Sequence, residues 1–87
     1  MSSKKLIDQK VYQDLDEFAT TLETIAKKLR EEGKFTFTQG DETIEVVPNK
    51  RVKVEYEYEI ESDGEHEFEI EFEWYPDRPD DGDFRVK

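Results

Sequence analysis

Two segments in the second half of the chain alternate apolar and charged residues almost without interruption. Over residues 52–61, valine, tyrosine and isoleucine take the even positions, and Lys53 and four glutamates take the odd ones. Over residues 67–74, phenylalanine and isoleucine alternate with glutamate up to the only tryptophan, Trp74. Because successive side chains of a strand point to opposite faces, each segment predicts a strand with one apolar face and one carboxylate face.

The loop between these strands is constrained by the same alternation. A two-residue turn at Asp63-Gly64 would pair Ile60 with Glu67 and mix the two patterns on one face. The sequence therefore predicts a three-residue loop, pairing Ile60 with Phe68, or a bulge. In that register glutamate would face glutamate across the strands, as Glu61–Glu67, Glu59–Glu69, Glu57–Glu71 and Glu55–Glu73.

A different period marks residues 14–33 as an amphipathic helix. Apolar residues recur every three or four positions, at Leu15, Phe18, Leu22, Ile25 and Leu29. Asp14 suits the N-cap with Glu17 three residues on, and Gly33 supplies the C-terminal stop. Such a stripe also suits a short coiled coil, but covering a sheet is the simpler interpretation.

Shorter alternating segments predict three further strands. Residues 35–38 and 43–47 flank a turn at Gln39-Gly40-Asp41, and Pro48-Asn49 closes the second of them. Residues 5–12, with Ile7 and Val11 on one face, predict an N-terminal strand. The resulting fold class is α+β: an N-terminal strand, one helix, then a four-stranded antiparallel β-meander with the helix packed on one face.

The domain organisation follows from where these patterns stop. Residues 1–75 are predicted to form a single domain. Residues 76–87 contain prolines, glycine and aspartates, which predicts an acidic flexible tail. Within it, residues 84–87 alternate again, which also suits a short edge strand.

Charge and composition narrow the function classes. The net charge is −11; residues 1–54 carry 10 basic and 10 acidic side chains, and residues 55–87 carry 3 and 14. Such a surface repels nucleic acid and anionic lipid and attracts basic protein patches, so neither nucleic acid nor membrane is an expected partner. The chain has no cysteine, and no apolar run exceeds two residues, so we expect a cytoplasmic protein.

The apolar face of the predicted meander is wider than one helix. A helix ~10 Å across covers roughly two strands ~4.8 Å apart, whereas the predicted face runs over four. Uncovered apolar surface favours a homodimer, and strong curl of the sheet around the helix is the alternative. The expected apolar or dimer contacts are Phe35, Phe37, Tyr56, Tyr58, Phe72 and Trp74.

The carboxylate face is the other candidate surface, formed by Glu55, Glu57, Glu59, Glu61, Glu67, Glu69, Glu71 and Glu73. It could be a solvated face that maintains solubility, a docking surface for a basic protein, a diffuse cation site, a mimic of nucleic-acid charge or an adaptation to salt. We expect no defined metal residue, because a flat ladder of mobile carboxylates lacks the concave oxygen cage of a calcium loop.

Catalytic chemistry finds little support in the sequence. Acid–base catalysis by glutamates needs a buried carboxyl with a raised pKa, and these face water. His66, the only histidine, is expected to be a solvated residue beside the turn. We expect no enzyme activity and no cofactor; a protein-interaction or structural module is the preferred function, with a cation- or small-molecule-binding module as the alternative.

The strand Phe68-Glu69-Ile70-Glu71-Phe72-Glu73-Trp74, closed by tryptophan, resembles the signature of the Amphi-Trp domain family. The turn Gln39-Gly40-Asp41-Glu42, Pro48 after the next strand and Glu55 early in the following one agree with it, so the resemblance covers roughly residues 5–75. It implies a small domain of archaea and bacteria whose biochemical role is not established. The resemblance carries no catalytic residues to this chain.

Overall fold

The computed structural model describes residues 4–77, which contain one helix and four strands. The order is α1 (Leu15–Glu32), β1 (Phe35–Gln39), β2 (Glu42–Val46), β3 (Lys53–Ile60) and β4 (His66–Glu73). All pairings are antiparallel, which confirms the α+β class. The chain divides into two compact units, residues 1–47 and 48–87.

In the first unit, α1 begins and ends where the sequence predicts. The backbone N–H of Asp14 donates to Glu17 Oε1 at 3.0 Å, which satisfies a donor at the helix start. Gly33 takes a left-handed conformation with φ 74° and donates to the carbonyl of Leu29 at 3.0 Å. This is the glycine-terminated helix end that the sequence indicates.

The strands β1 and β2 form a hairpin that contacts α1 through β1. Gly40, at φ 59°, and Asp41 form a two-residue loop, with Gln39 opposite Glu42. Phe35 and Phe37 are half-buried while Thr36 and Thr38 are exposed, so burial alternates along β1. The helix therefore covers one face of this hairpin, as a helix of its width can.

The second unit contains the hairpin of β3 and β4, whose loop is Ser62-Asp63-Gly64. Gly64 N–H donates to the Glu61 carbonyl at 2.9 Å, and Glu61 N–H donates to the Glu65 carbonyl at 2.8 Å. Gly64 has φ 95°, the left-handed residue that ends such loops. The predicted three-residue loop is confirmed.

The register differs from the predicted one by two residues. Ile60 lies opposite His66 and Tyr58 opposite Phe68, instead of Ile60 opposite Phe68. Two physical reasons favour this register: Gly64 becomes the last loop residue, and Lys53 falls opposite Glu73. One glutamate pair of the predicted register is thus replaced by an opposite-charge pair.

Two details of the predicted architecture are wrong. The strands form two two-stranded sheets instead of one four-stranded meander. Six residues separate β2 from β3, which is longer than the two-residue loop between β1 and β2, and the two strands do not pair. The second wrong detail is the N-terminal strand.

Residues 5–12 do not form the predicted strand. Their alternation is interrupted at Gln9, and Leu6, Val11 and Tyr12 are exposed. Asp8 makes two exposed contacts: its carboxylate lies 3.4 Å from Lys5 Nζ, and its carbonyl accepts from Gln39 Nε2 of β1 at 3.4 Å. Residues 78–87, including the predicted edge strand over 84–87, lie outside the described residues, and the single domain over residues 1–75 stays a prediction.

Candidate functional site: the two faces of the β3–β4 hairpin

The β3–β4 hairpin separates its side chains into two chemically opposite faces. The odd-numbered positions of the two strands form what we call the acid face: Lys53, Glu55, Glu57, Glu59, Glu67, Glu69, Glu71 and Glu73. The even-numbered positions form the aromatic face: Val54, Tyr56, Tyr58, Ile60, His66, Phe68, Ile70 and Phe72. Because paired residues share a face, the register assembles both surfaces from the two strands at once.

Three glutamate pairs lie directly opposite one another across the acid face. They are Glu59–Glu67, Glu57–Glu69 and Glu55–Glu71, and the fourth pair, Lys53–Glu73, has opposite charges. The three ion pairs between described residues lie elsewhere: Lys5–Asp8, Lys28–Glu32 and Lys34–Glu45. None of these three ion pairs involves a carboxylate of the acid face.

The electrostatic strain is visible in the central carboxyls. Glu67 raises the pKa of Glu69 above its ordinary 4.5, and Glu57, which lies opposite Glu69 on β3, raises it further. The pKa of Glu71 is raised by Glu73 first, then by partial desolvation and by Glu55. For both exposed carboxyls, the largest cause is the negative charge of a neighbouring glutamate.

These raised pKa values predict that the hairpin becomes more stable on mild acidification. A carboxyl with a higher pKa in the folded state binds protons more readily there than in the unfolded chain. The free energy of unfolding therefore falls as pH rises through the raised pKa values, and it recovers as pH is lowered towards 4.5. We expect calorimetry to give a Tm roughly 2 to 5 °C higher near pH 5 than near pH 7.5. A Tm that is lower near pH 5 than near pH 7.5 would contradict the prediction.

Glu61, which follows β3, joins two carboxylates of the acid face at the turn end of the hairpin. Oxygens of Glu59, Glu61 and Glu67 lie within 4.8 Å of one another, with Glu61 half-buried and the other two exposed. A calcium ion requires ~6–8 oxygen ligands, and Mg²⁺ ~6 in strict octahedral geometry. Three carboxylates on an open strand surface supply part of such a shell, so these residues form an attractive patch for cations without the geometry of a defined site.

The aromatic face is exposed along its length. Burial does not alternate in β3 or β4: every residue of β3 is exposed, and in β4 only Phe72 is half-buried. Trp74 follows β4 and stacks on Phe72, with ring centroids 5.5 Å apart. Asn49 donates its side-chain amide to the carbonyl of Tyr75 at 2.8 Å, which anchors the chain just beyond Trp74.

His66 is the residue whose place the sequence interpretation missed. It lies in β4 on the aromatic face, where its Nδ1 is 2.7 Å from the Tyr58 hydroxyl. Tyr58 also contacts Phe68, with ring centroids 6.3 Å apart. His66 has the same parity as Phe68, and this signal would have placed it on the aromatic face instead of in the turn.

The predicted contact residues divide between the two units. Tyr56, Tyr58 and Phe72 share the aromatic face, with Trp74 beside it, whereas Phe35 and Phe37 lie on β1 of the first unit. A shallow, open groove borders Phe35 and Phe37 together with Thr20, Thr21 and Thr24 of α1. Each of these three threonines donates its hydroxyl to a helix carbonyl one turn earlier, so the hydroxyls are already engaged.

Comparison with known proteins supports the sequence resemblance. The family profile described as the Amphi-Trp domain matches residues 1–87, which is more of the chain than the motifs alone indicated. No curated protein and no solved structure matches the chain. The described part of the chain contains no helix that is both long and apolar enough to cross a membrane.

Proposed function

The chain belongs to the Amphi-Trp domain family, and we propose that it is a non-enzymatic, cytoplasmic interaction domain whose acid face docks a basic surface of another protein. The observation that carries this proposal is the cross-strand register. It sets Glu59–Glu67, Glu57–Glu69 and Glu55–Glu71 directly opposite one another on one exposed face. Like charges in this position destabilise a sheet, so the arrangement lowers the stability of the free hairpin.

A basic partner reverses the sign of this interaction. Facing glutamates have Cβ atoms ~5 Å apart, and the next pair along the strand lies ~7 Å away. An arginine between two facing carboxylates can donate to both through its planar fork. The acid face therefore suits an extended partner segment with Arg or Lys at alternate positions, because the positive charges of that segment have the same ~7 Å repeat.

The absence of enzyme activity is part of the proposal and is supported by the environment of the carboxyls. The pKa values of Glu69 and Glu71 are raised chiefly by neighbouring carboxylates on an exposed surface. A catalytic carboxyl is usually held in a pocket that excludes water.

Adaptation to salt without a partner and diffuse cation binding also use negative charge. They differ from partner docking in requiring no particular spacing of positive groups.

A peptide titration tests the proposal and these alternatives together. The probe is a peptide of about 12 residues with arginine at alternate positions, and its control has the same composition with the arginines clustered. We expect the alternating peptide to bind with Kd on the order of 10–100 µM in about 50 mM salt, and about tenfold more weakly near 300 mM. Titration with Mg²⁺ or Ca²⁺ is expected to saturate only in the millimolar range.

Two protein variants make the test specific to the acid face. The ladder variant carries Glu57→Gln, Glu69→Gln and Glu71→Gln; the remote variant carries Glu23→Gln, Glu31→Gln and Glu42→Gln, with the same change in net charge. We expect the ladder variant to lose affinity at least tenfold and the remote variant at most threefold. Equal loss in both variants, or equal binding of both peptides, would reduce the interaction to general charge attraction and overturn the proposal.

A further inference from the structure

The aromatic face has the features of a surface that becomes buried. On β1 the half-buried and exposed positions alternate, because α1 covers that hairpin. On β3 and β4 every apolar position except Phe72 is exposed: Tyr56 is 69% exposed, Phe68 62% and Ile70 54%. A two-stranded hairpin is marginally stable on its own and needs its apolar face covered.

We infer that the aromatic face is covered by the same face of a second copy of this chain, in a symmetric homodimer. The exposed side chains of the face offer roughly 600 Å² per copy, since each aromatic residue contributes ~150–250 Å² when buried. A pair would thus bury about 1,200 Å², the lower end of the range for specific interfaces. Two such sheets pack ~10 Å apart with their apolar side chains interdigitated.

Two of the three polar side chains of the aromatic face are already hydrogen-bonded. The three are Tyr56, Tyr58 and His66, and the Tyr58 hydroxyl lies 2.7 Å from His66 Nδ1. Burying Tyr58 and His66 in the dimer therefore leaves neither without a partner, and an unsatisfied buried polar group would be unfavourable.

The charge distribution selects this interface over edge-to-edge pairing. Each strand of a two-stranded sheet has one open edge, and a second copy added there would place new glutamates beside those already facing one another. Face-to-face packing instead directs the acid faces outward on opposite sides of the dimer. The carboxylates stay in water, and the two copies avoid each other's negative charge.

The dimer is independent of the docking function and responds oppositely to salt. Salt weakens the binding of a basic peptide to the acid face, whereas it screens repulsion between two copies and favours apolar burial. We expect sedimentation equilibrium, over about 5 to about 500 µM protein, to give a dimer with Kd on the order of 1–10 µM. We expect this dimer to be retained or tightened near 500 mM salt.

Adjacent substitutions on opposite faces of β4 provide the matched test. Ile70→Lys and Glu69→Gln each change the net charge by one unit in the same direction, but only Ile70 lies on the aromatic face. We expect Ile70→Lys to weaken dimerisation at least 30-fold and Glu69→Gln to change it at most threefold. The inference would be overturned if the protein stayed monomeric across the whole concentration and salt range, which is the result expected if the chain covers this face itself. Equal effects of both substitutions would also overturn it.

Cross-linking decides the question if Ile70→Lys fails to fold. The chain has no cysteine, so a single introduced thiol reports on one position. With a short bismaleimide, Ile70→Cys is expected to give a cross-linked dimer in high yield at dimer-forming concentration, and Glu69→Cys to give little. Similar yields at both positions would rule out the aromatic face as the interface.

Discussion

The ladder variant is expected to melt roughly 5 to 10 °C above the unmodified chain near pH 7.5 and low salt. Its three glutamine substitutions remove charge from two of the three facing glutamate pairs, Glu57–Glu69 and Glu55–Glu71. Each pair of this kind destabilises a sheet, and a small domain responds to a small energy change with a shift of several degrees. Gain of stability would accompany loss of affinity for the alternating peptide.

The remote variant provides the control for this measurement. Its substitutions change net charge equally, but they lie on α1 and β2 of the first unit and none belongs to the acid face. We expect its Tm to rise by less than about a third as much, through the general reduction of self-repulsion. The difference between the two variants should shrink near 500 mM salt, because salt screens exposed charges. A ladder variant that melts at or below the temperature of the remote variant would contradict the assigned register.

Substituting Gly64 by valine is expected to lower Tm by roughly 5 to 15 °C, corresponding to about 1–3 kcal/mol of backbone strain. Gly64 has φ 95°, and a Cβ added there would meet nothing within 4 Å. The penalty is therefore conformational and not a steric clash with neighbouring side chains. A β-branched residue is poorly suited to positive φ, whereas asparagine tolerates it better.

Gly64→Asn is accordingly the control, with an expected loss less than half as large. Thermal unfolding followed by far-UV circular dichroism measures both variants. The fluorescence of Trp74 reports on the open end of the same hairpin, so it should change in the same transition if the hairpin unfolds as a unit. Equal destabilisation by valine and asparagine would show that something other than the positive φ restricts this position.

The sequence predicts most of this structure, because alternation and helical periodicity are local signals. The bounds of α1 follow from its apolar stripe, Asp14 and Gly33. The three-residue loop follows from the parity of the apolar positions around Gly64. Both faces of the β3–β4 hairpin follow from parity alone. The same parity applies to His66, which the sequence interpretation placed beside the turn.

What the sequence does not predict depends on competition between arrangements of similar local quality. Two registers both align apolar residues with apolar residues, and only the energies of Lys53 opposite Glu73 and of glycine at the end of the loop separate them. Residues 5–12 contain strand-forming residues, but β1 and β2 pair with each other and Gln9 interrupts the apolar face. The choice between one sheet and two is likewise non-local.

The pair Lys53–Glu73 gives the hairpin an electrical polarity along its length. It is the one opposite-charge pair of the ladder and lies at the end farthest from the loop, with Lys50 and Arg51 just before it. At the other end, Glu59, Glu61 and Glu67 gather beside Asp63 and Glu65. The hairpin is thus a dipole about 25 Å long, since eight residues of strand rise ~3.3 Å each. A basic molecule approaching from solution would be turned by this field before contact and drawn to the loop end first.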